Sequence, residues 1–351
     1  MQATQQHEEF YQALVRKDPS YEGVFFVGVR TTGIFCRPTC SARKPKPENV
    51  TFYRSIQEAM QHGYRPCKVC QPLQPAGVAP EAYAHLITEL NTDPMLKLRD
   101  GDLRARGLDP ATVRRWFLKN YQMTFHTYQR LMRINKAFGS IRYGDAITQS
   151  AFEHGFESLG HFQDVFKKAF GVSPSRTRDQ LVITYNRILT PLGPMLAGVT
   201  DAGVCLLEFV DRRMLPTQIQ RIQKLLNATA LPGEHPLLKQ LADELNAYFA
   251  GSLQTFSIPL AIPGTDFQQR VWQALQTIPY GGLRSYQEQA QVLGQPEAVR
   301  AVAKANGDNR LAIIVPCHRV IGKDGKLTGY GGGLWRKQWL LDHEQKYLRA
   351  N

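Results

Sequence analysis

The chain has 351 residues, which is too long for one small domain and, at roughly 100 to 200 residues per domain, predicts two to four modules. Its 43 lysines and arginines outnumber 30 acidic residues, giving a formal charge of +13 and a pI of about 9.5. This balance favours a polyanionic partner, either nucleic acid or an anionic membrane. The first ten residues lack the apolar core of a signal peptide, and prolines and glycines interrupt the longest uncharged stretch, residues 188–200. We therefore expect neither export nor a membrane span.

Six cysteines divide into two close pairs and two isolated residues, which fits reduced thiols and metal ligation better than a disulfide framework. The pairs, Cys36 with Cys40 and Cys67 with Cys70, predict a tetrahedral zinc site in a small domain. Zinc could serve only to hold this domain together. Alternatively, the four thiolates outweigh the charge of one Zn²⁺, and such electron-rich sulfurs can attack an electrophilic methyl group.

Basic side chains flank both cysteine pairs and could hold a DNA phosphate against the metal site. Each could equally be an ordinary surface residue. They are Arg37, Arg43, Lys44, Lys46, Arg65 and Lys68. The proline-rich stretch 71–80 then predicts a linker that closes this module.

Residues 81–180 show helical periodicity with little strand signal, and Gly171 and Pro174 end the run. Asp109 is the predicted N-cap of a helix that follows a short first helix, and a second unit of this kind is expected within residues 146–170. Two such units can each present a helix to the DNA major groove, although a helical interaction domain is the alternative. The candidate DNA contacts are Thr112, Arg114, Arg115, Ser158 and His161.

The remaining sequence has mixed α/β character. Residues 186–262 carry equal numbers of acidic and basic side chains, which suits a scaffold better than a nucleic-acid surface. A helix is predicted from Leu237 to Phe249, a strand-like run from Val204 to Val210, and a further helix near Phe267. The apolar run Leu311 to Val315 predicts a strand that ends at Pro316.

Cys317 is a candidate nucleophile because it follows an apolar run and precedes a histidine, His318. Glu344 is the candidate carboxylate that would orient this base. The glycine-rich segment around Tyr330 could let the backbone shape a narrow pocket for a flat ligand. The other isolated cysteine, Cys205, is interpreted as a buried structural residue.

Residues 267–344 resemble the O6-alkylguanine-DNA alkyltransferases, on the motifs that contain Tyr286, Arg300, Asn309 and Cys317. The resemblance implies transfer of methyl groups from O6-methylguanine, and also from O4-methylthymine, to Cys317. It further implies His318 as base through a water, Glu344 as its orienting carboxylate and Asn309 as support of the turn. Tyr286 and Arg300 would rotate the damaged base outward, with Tyr330 beside it.

The order of modules resembles the bacterial Ada family, through Arg30 to Pro38 and Tyr64 to Cys67, and the middle resembles the AraC/XylS class. The fold expected is a multidomain α+β chain. Its parts are a four-cysteine zinc domain (1–75), an all-α AraC-like double helix-turn-helix domain (81–180), an α/β ribonuclease-H-like subdomain (186–262) and a winged-helix-like alkyltransferase domain (263–351).

The Ada resemblance implies that Cys36 accepts a methyl group from a DNA phosphotriester. Losing one thiolate charge would then tighten DNA binding and activate genes. The implied partners are alkylated and promoter double-stranded DNA and RNA polymerase, and we expect a monomer in the bacterial cytoplasm, associated with the nucleoid.

Two other functions remain open at this point. A pure transcription regulator could sense damage through the same modules without effective base repair. A Cys-His hydrolase would turn over repeatedly, whereas a thioether does not hydrolyse and limits the acceptor to one event per site. The basic modules and glycine-lined pocket suit an extruded base better than a peptide.

Overall fold

The computed structural model describes residues 2–18, 21–73, 80–93, 95–177 and 180–348. Within these residues, no helix combines the length and apolarity that crossing a membrane requires. Most of the linker predicted at 71–80 lies outside the described residues.

The amino-terminal module packs one long helix and one short helix around a small sheet with strand order β3-β1-β2-β4. Its elements are α1 (Gln2–Arg16), β1 (Phe26–Val29), β2 (Ile34–Cys36), β3 (Val50–Tyr53), α2 (Ile56–Gln61) and β4 (Arg65–Pro66). Phe10 and Phe25 stack in its core, with ring centroids 4.3 Å apart. Gly28 is required because a Cβ there would lie 2.7 Å from the Tyr53 ring. This small core fits a module that depends on metal for part of its stability.

The middle of the chain is helical, as predicted, and its described residues form six α-helices. They are α3 (Glu81–Thr92), α4 (Asp100–Ala105), α5 (Pro110–Tyr121), α6 (Phe125–Tyr143), α7 (Ile147–Glu153) and α8 (Leu159–Phe170). The Asp109 side chain accepts a hydrogen bond from the Thr112 amide and caps α5, and Ser158 caps α8 in the same way. The long α6 separates two helix-turn-helix units, α4–α5 and α7–α8.

A four-stranded sheet with order β7-β6-β5-β8 follows, and β5 already begins at Leu181, ahead of the predicted boundary at 186. Its elements are β5 (Leu181–Thr190), β6 (Gly193–Thr200), β7 (Gly203–Phe209), α9 (Leu215–Leu226), β8 (Ala228–Pro232) and α10 (Pro236–Phe249). Every residue of β6 and β7 is buried, so both faces of the sheet are covered.

The sheet shares a continuous hydrophobic core with the helix-turn-helix helices. Phe117 and Tyr128 pack in one cluster with Tyr185 and Leu206 of the sheet. Polar contacts seal the edge of this cluster, for example Arg187 Nε donating to Asn120 Oδ1 at 2.9 Å. The helical module and the sheet therefore form one packed body.

The opposite face of the sheet packs on the carboxy-terminal part. Its elements are α11 (Asp266–Gln276), β9 (Arg284–Ser285), α12 (Tyr286–Val292), α13 (Val299–Gly307), β10 (Val320–Ile321) and α14 (Leu334–Leu348). The strand expected at Leu311–Val315 is wrong: only Leu311 forms a bridge, to Leu207, and the chain then turns, with Ile313 at φ 74°. The Asn309 amide causes this turn by hydrogen bonding along the segment, as described below.

Candidate active site and metal centre

The Cys317 thiol lies at the start of a short 3-10 turn, Cys317–Arg319, and is 9% exposed. Asn309 Nδ2 donates to the Cys317 sulfur at 3.2 Å and to the Val315 carbonyl at 2.8 Å. Asn309 Oδ1 accepts from the Leu311 amide at 3.0 Å. One buried side chain therefore folds the 309–317 loop and places a donor on the sulfur, where it favours the thiolate.

His318 and Glu344 are both fully buried and hydrogen bonded, with Nε2 and Oε1 2.9 Å apart. Glu344 also accepts from the Tyr248 hydroxyl at 2.8 Å and from the Gly281 amide at 2.9 Å. Two Arg319 nitrogens, Nε and a terminal guanidinium nitrogen, each lie 2.9 Å from its oxygens. The carboxylate is thus held by four neighbouring residues.

The charges in this network follow from burial and from the donors. Burial lowers the pKa of His318, although Glu344 opposes the shift. Burial alone would raise the pKa of Glu344, but hydrogen bonds and charges from His318 and Arg319 outweigh it and hold the pKa well below its usual range. At neutral pH the pair is therefore a neutral imidazole and a carboxylate. Nε2–H donates to Glu344, and Nδ1 has no hydrogen-bond partner within the described residues.

Two cationic side chains next to the thiol were missed by the sequence reasoning. Burial raises the pKa of Cys317, and the Asn309 hydrogen bond and the Arg212 charge partly offset this. Arg212 pairs with the buried Glu208 and donates to the Asn309 carbonyl at 3.1 Å.

The second cationic side chain is Lys337, which is fully buried. Its Nζ donates to the Thr328 carbonyl at 2.7 Å, and burial lowers its pKa to about 8. The position of Lys337 two helical turns before Glu344, on the same face of α14, was the available signal.

A cavity of about 530 Å³ opens in front of Cys317. Tyr286, Arg300 and Tyr330 line it together with the thiol, and Arg300 is exposed at its rim. The glycine-rich segment packs tightly against Arg212, because a Cβ on Gly331 would lie 2.5 Å from the Arg212 guanidinium. The cavity thus combines a nucleophile, aromatic rings and a basic side chain, and it has room for a flat ligand.

The four sulfurs of Cys36, Cys40, Cys67 and Cys70 all lie within 4.8 Å of one another. The parallel pairing of β2 with β4, in which Phe35 is opposite Pro66, carries one member of each pair to the same end of the sheet. Tetrahedral zinc with Zn–S bonds of roughly 2.3 Å requires sulfurs about 3.8 Å apart, so small side-chain adjustments suffice. The donor set fits zinc.

The four metal ligands differ in their surroundings. Cys40 and Cys67 are buried, whereas Cys36 and Cys70 are partly exposed. The Arg37 amide donates to the Cys70 sulfur at 3.4 Å. Cys36 and Cys70 are thus the two accessible ligands. Among the described hydrogen bonds, a backbone amide donates to the sulfur of Cys70 but not to that of Cys36.

The basic residues around the metal site divide into two groups. Arg37 is mostly buried, forms an ion pair with Glu22 at 3.2 Å and donates to the Cys70 carbonyl. Lys44 donates to the Cys40 carbonyl at 2.8 Å. The others, Arg43, Lys46, Arg65 and Lys68, are exposed. Arg37 and Lys44 therefore brace the cysteine loops, and the exposed group forms the surface beside them.

The candidate contacts of the helical module lie at the amino ends of α5 and α8. Arg114, Arg115 and His161 are exposed. The Thr112 hydroxyl donates to Asp109 at 2.6 Å, and Ser158 accepts from the His161 amide at 3.2 Å. Thr112 and Ser158 thus take part in helix capping, and the three exposed side chains remain on the surface.

Four family models match the chain. They are the metal binding domain of Ada (residues 9–72), a helix-turn-helix domain (104–180), and the ribonuclease-like (183–262) and DNA binding (266–346) domains of 6-O-methylguanine DNA methyltransferase. The Escherichia coli protein described as "Bifunctional transcriptional activator/DNA repair enzyme Ada" is 35% identical over 344 residues, 96% of each chain. The chain belongs to the Ada family. The predicted family, fold class and four-cysteine zinc site are confirmed.

The carboxy-terminal half also has shorter relatives. A methylated-DNA–protein-cysteine methyltransferase of Mycobacterium tuberculosis is 48% identical over 170 residues, 48% of this chain and 97% of the relative. The crystal structure of Mycobacterium tuberculosis OGT in complex with DNA is 45% identical and covers 47% of this chain and 94% of its own, with a TM-score of 0.41.

Proposed function

We propose that this Ada-family chain repairs alkylated DNA by irreversible methyl transfer to Cys317 and Cys36, and that methylation of Cys36 makes it a transcriptional activator. The E. coli relative is described as both an activator and a DNA repair enzyme. The observation that carries the proposal is the cavity that joins Tyr286 and Arg300 to a buried thiol held by Asn309 and followed by the His318–Glu344 pair.

At Cys317 the reaction is a single displacement on the methyl carbon of O6-methylguanine. The thiol proton passes to His318 Nδ1 through water, while Glu344 holds Nε2 and stabilises the imidazolium. The sulfur forms a bond to the methyl carbon as the C–O6 bond breaks, and the guanine anion takes up the proton. The products are guanine and S-methylcysteine, whose thioether is stable, so each chain acts once.

The cavity requires the base to leave the helix. Tyr286 lies at the cavity wall and Arg300 at its exposed rim, where it can fill the vacated stack. Tyr330 would pack against the extruded base. The same displacement on O4-methylthymine leaves thymine, so both O-methylated bases are proposed substrates.

At the metal centre the proposed acceptor is Cys36. Zinc, when bound, keeps all four sulfurs as thiolates at neutral pH. The Cys36 sulfur attacks the methyl carbon of a phosphotriester, the C–O bond breaks, and the phosphodiester anion leaves. Cys36 is favoured over Cys40 and Cys67 because it is more exposed. Cys70 is disfavoured because the Arg37 amide donates a hydrogen bond to its sulfur. Arg43 and Arg65, on the adjacent surface, would hold the neighbouring phosphates.

Methylation of Cys36 removes one negative charge from a site that faces the DNA backbone, which strengthens binding of DNA. The helix-turn-helix units would then read promoter DNA through Arg114, Arg115 and His161. Contact with RNA polymerase follows from activation. We propose that the chain acts as a monomer at the nucleoid in the bacterial cytoplasm.

The test uses duplex DNA carrying radiolabelled O6-methylguanine, with the label counted on full-length protein. We expect wild type to saturate near one methyl group per chain and Cys317→Ala to take up none. If wild type takes up no label, base repair is contradicted and a regulator that only senses damage becomes the better account.

A further inference from the structure

Asn306 is a second asparagine beside the thiol. The proposed mechanism gives a role to Asn309 but none to Asn306. It lies in the last turn of α13 and lines the same cavity as Cys317. It is 6% exposed, and neither its Oδ1 nor its Nδ2 has a hydrogen-bond partner within the described residues. An amide that loses water and gains no partner destabilises the free protein.

The surroundings of Asn306 point to a ligand. Arg300, Ala303 and Asn306 recur at helical spacing along the cavity-facing side of α13. The backbone of Asn306 is satisfied, since its carbonyl accepts from the Asn309 amide at 3.2 Å. The unpaired donor and acceptor are therefore confined to the side chain, on the wall that an extruded base would face.

We propose that Asn306 is a specificity-determining residue that recognises the 2-amino group of the extruded purine together with the ring nitrogen next to it. This inference rests on the proposed base-repair function. A carboxamide offers one donor edge and one acceptor edge, and O6-methylguanine presents the complement, an amino donor beside a ring-nitrogen acceptor. O4-methylthymine has no amino group and cannot form the pair. Asn306 accordingly favours the purine lesion.

The experiment measures single-turnover methyl transfer to the full chain from duplexes that differ at one base. The bases are O6-methylguanine, O6-methylhypoxanthine, which lacks the 2-amino group, and O4-methylthymine. The proteins are wild type, Asn306→Leu, which has a similar size and no polar atoms, and Asn306→Asp, which keeps the acceptor and loses the donor. A structural role would change all three rates in parallel.

We expect the guanine-to-hypoxanthine rate ratio to be about tenfold smaller in Asn306→Leu than in wild type. Asn306→Asp keeps the acceptor that meets the 2-amino group, so its ratio should stay close to that of wild type, while loss of the donor to the ring nitrogen should slow transfer from both purines. The O4-methylthymine rate should change by less than about twofold. Because the wild-type amide is unpaired in the free protein, the leucine variant should keep its melting temperature. If it does not fold, Asn306→Asp decides, since it should slow transfer from both purines and leave the O4-methylthymine rate unchanged.

Failure of the proposed role of Asn306 and failure of the proposed base repair would give different results. An unchanged ratio in a folded Asn306→Leu, or purine rates in Asn306→Asp equal to those of wild type, overturns the role of Asn306 and leaves base repair intact. Wild type that transfers nothing from O6-methylguanine overturns the proposed function itself.

Discussion

The two cysteines proposed as acceptors lie in contrasting environments. Cys317 is a single buried thiol that lines a cavity, held by Asn309 and next to a buried imidazole and carboxylate. Cys36 is a partly exposed member of four sulfurs at the edge of a small sheet. In the proposed mechanism the first would be activated by hydrogen bonds and a base, and the second by a bound metal that would fix the thiolate state.

The difference in exposure matches the difference in target. A base edge can reach a nucleophile only after extrusion, so a deep cavity shields that chemistry from water. A phosphotriester lies on the outside of the duplex, and an open site can approach it without distorting the DNA. The exposure of each sulfur thus indicates which part of the DNA it can reach.

Removal of zinc should separate the two sites most strongly. Structural zinc contributes roughly 10 to 16 kcal/mol of binding free energy in small domains, and this module has a small core. We expect a strong chelator to unfold the amino-terminal module and abolish phosphotriester repair, while transfer to Cys317 continues. Circular dichroism and label transfer would report the two effects. Equal loss of both activities would show that the sites are not independent.

Removal of the Glu344 charge should affect only the Cys317 site. Glu344→Gln weakens the orientation of His318, and we expect a loss of about 10² to 10⁴-fold in the rate of methyl transfer to Cys317, typical of a disabled acid–base pair. Phosphotriester transfer should be unchanged. Tyr248→Phe, which removes one hydrogen bond from the same carboxylate, is the matched control and should change the rate far less. A rate unaffected by Glu344→Gln would refute the relay.

The hydrophobic cluster that the helical module shares with the sheet can be tested by a substitution within it. Tyr185→Ala removes a buried ring from the common cluster, and we expect it to destabilise both parts together by about 3 to 5 kcal/mol. Hydrogen exchange would show increased opening in α5 as well as in β5. If only the sheet opens faster, the common core does not unfold as one unit.

The smallest expected effect is a pH dependence of stability. Because the folded pKa of His318 is lowered, the unfolded chain binds a proton below about pH 6.5 that the folded chain does not, so stability falls with decreasing pH at up to roughly 1.4 kcal/mol per pH unit. The lowered pKa of Glu344 adds a further loss once the pH falls below about 4.5. His318→Gln should flatten the slope near pH 6, and the exposed His85→Gln should not. Identical slopes would contradict the neutral buried imidazole.

The sequence allowed prediction of the residues with distinctive neighbours. Cys317, His318 and Glu344 stand in motifs whose chemistry is readable, and the structure brings them together with Asn309. The cysteine spacing likewise predicted the metal cluster. In both cases one residue type at a particular spacing has few alternative explanations.

Other features depend on contacts that the linear pattern does not encode. The apolar run after Asn309 has the composition of a strand, but one amide side chain turns it. The buried face of α5 has the same periodicity whether it packs on a neighbouring helix or on β5, so the common core was not predictable. Arg212 supports the Cys317 site from a different module, and Asn306 is notable only because its amide is unpaired.

The central claim is that each cysteine serves its own lesion, and peptide mass mapping of methylated cysteines tests it directly. Full-length protein would be incubated with duplexes that carry either O6-methylguanine or a methylphosphotriester. We predict one methyl group on Cys317 with the first, one on Cys36 with the second, and none on Cys40, Cys67, Cys70 or Cys205. Methylation of a single cysteine by both lesions, or of another zinc ligand in place of Cys36, would contradict the account.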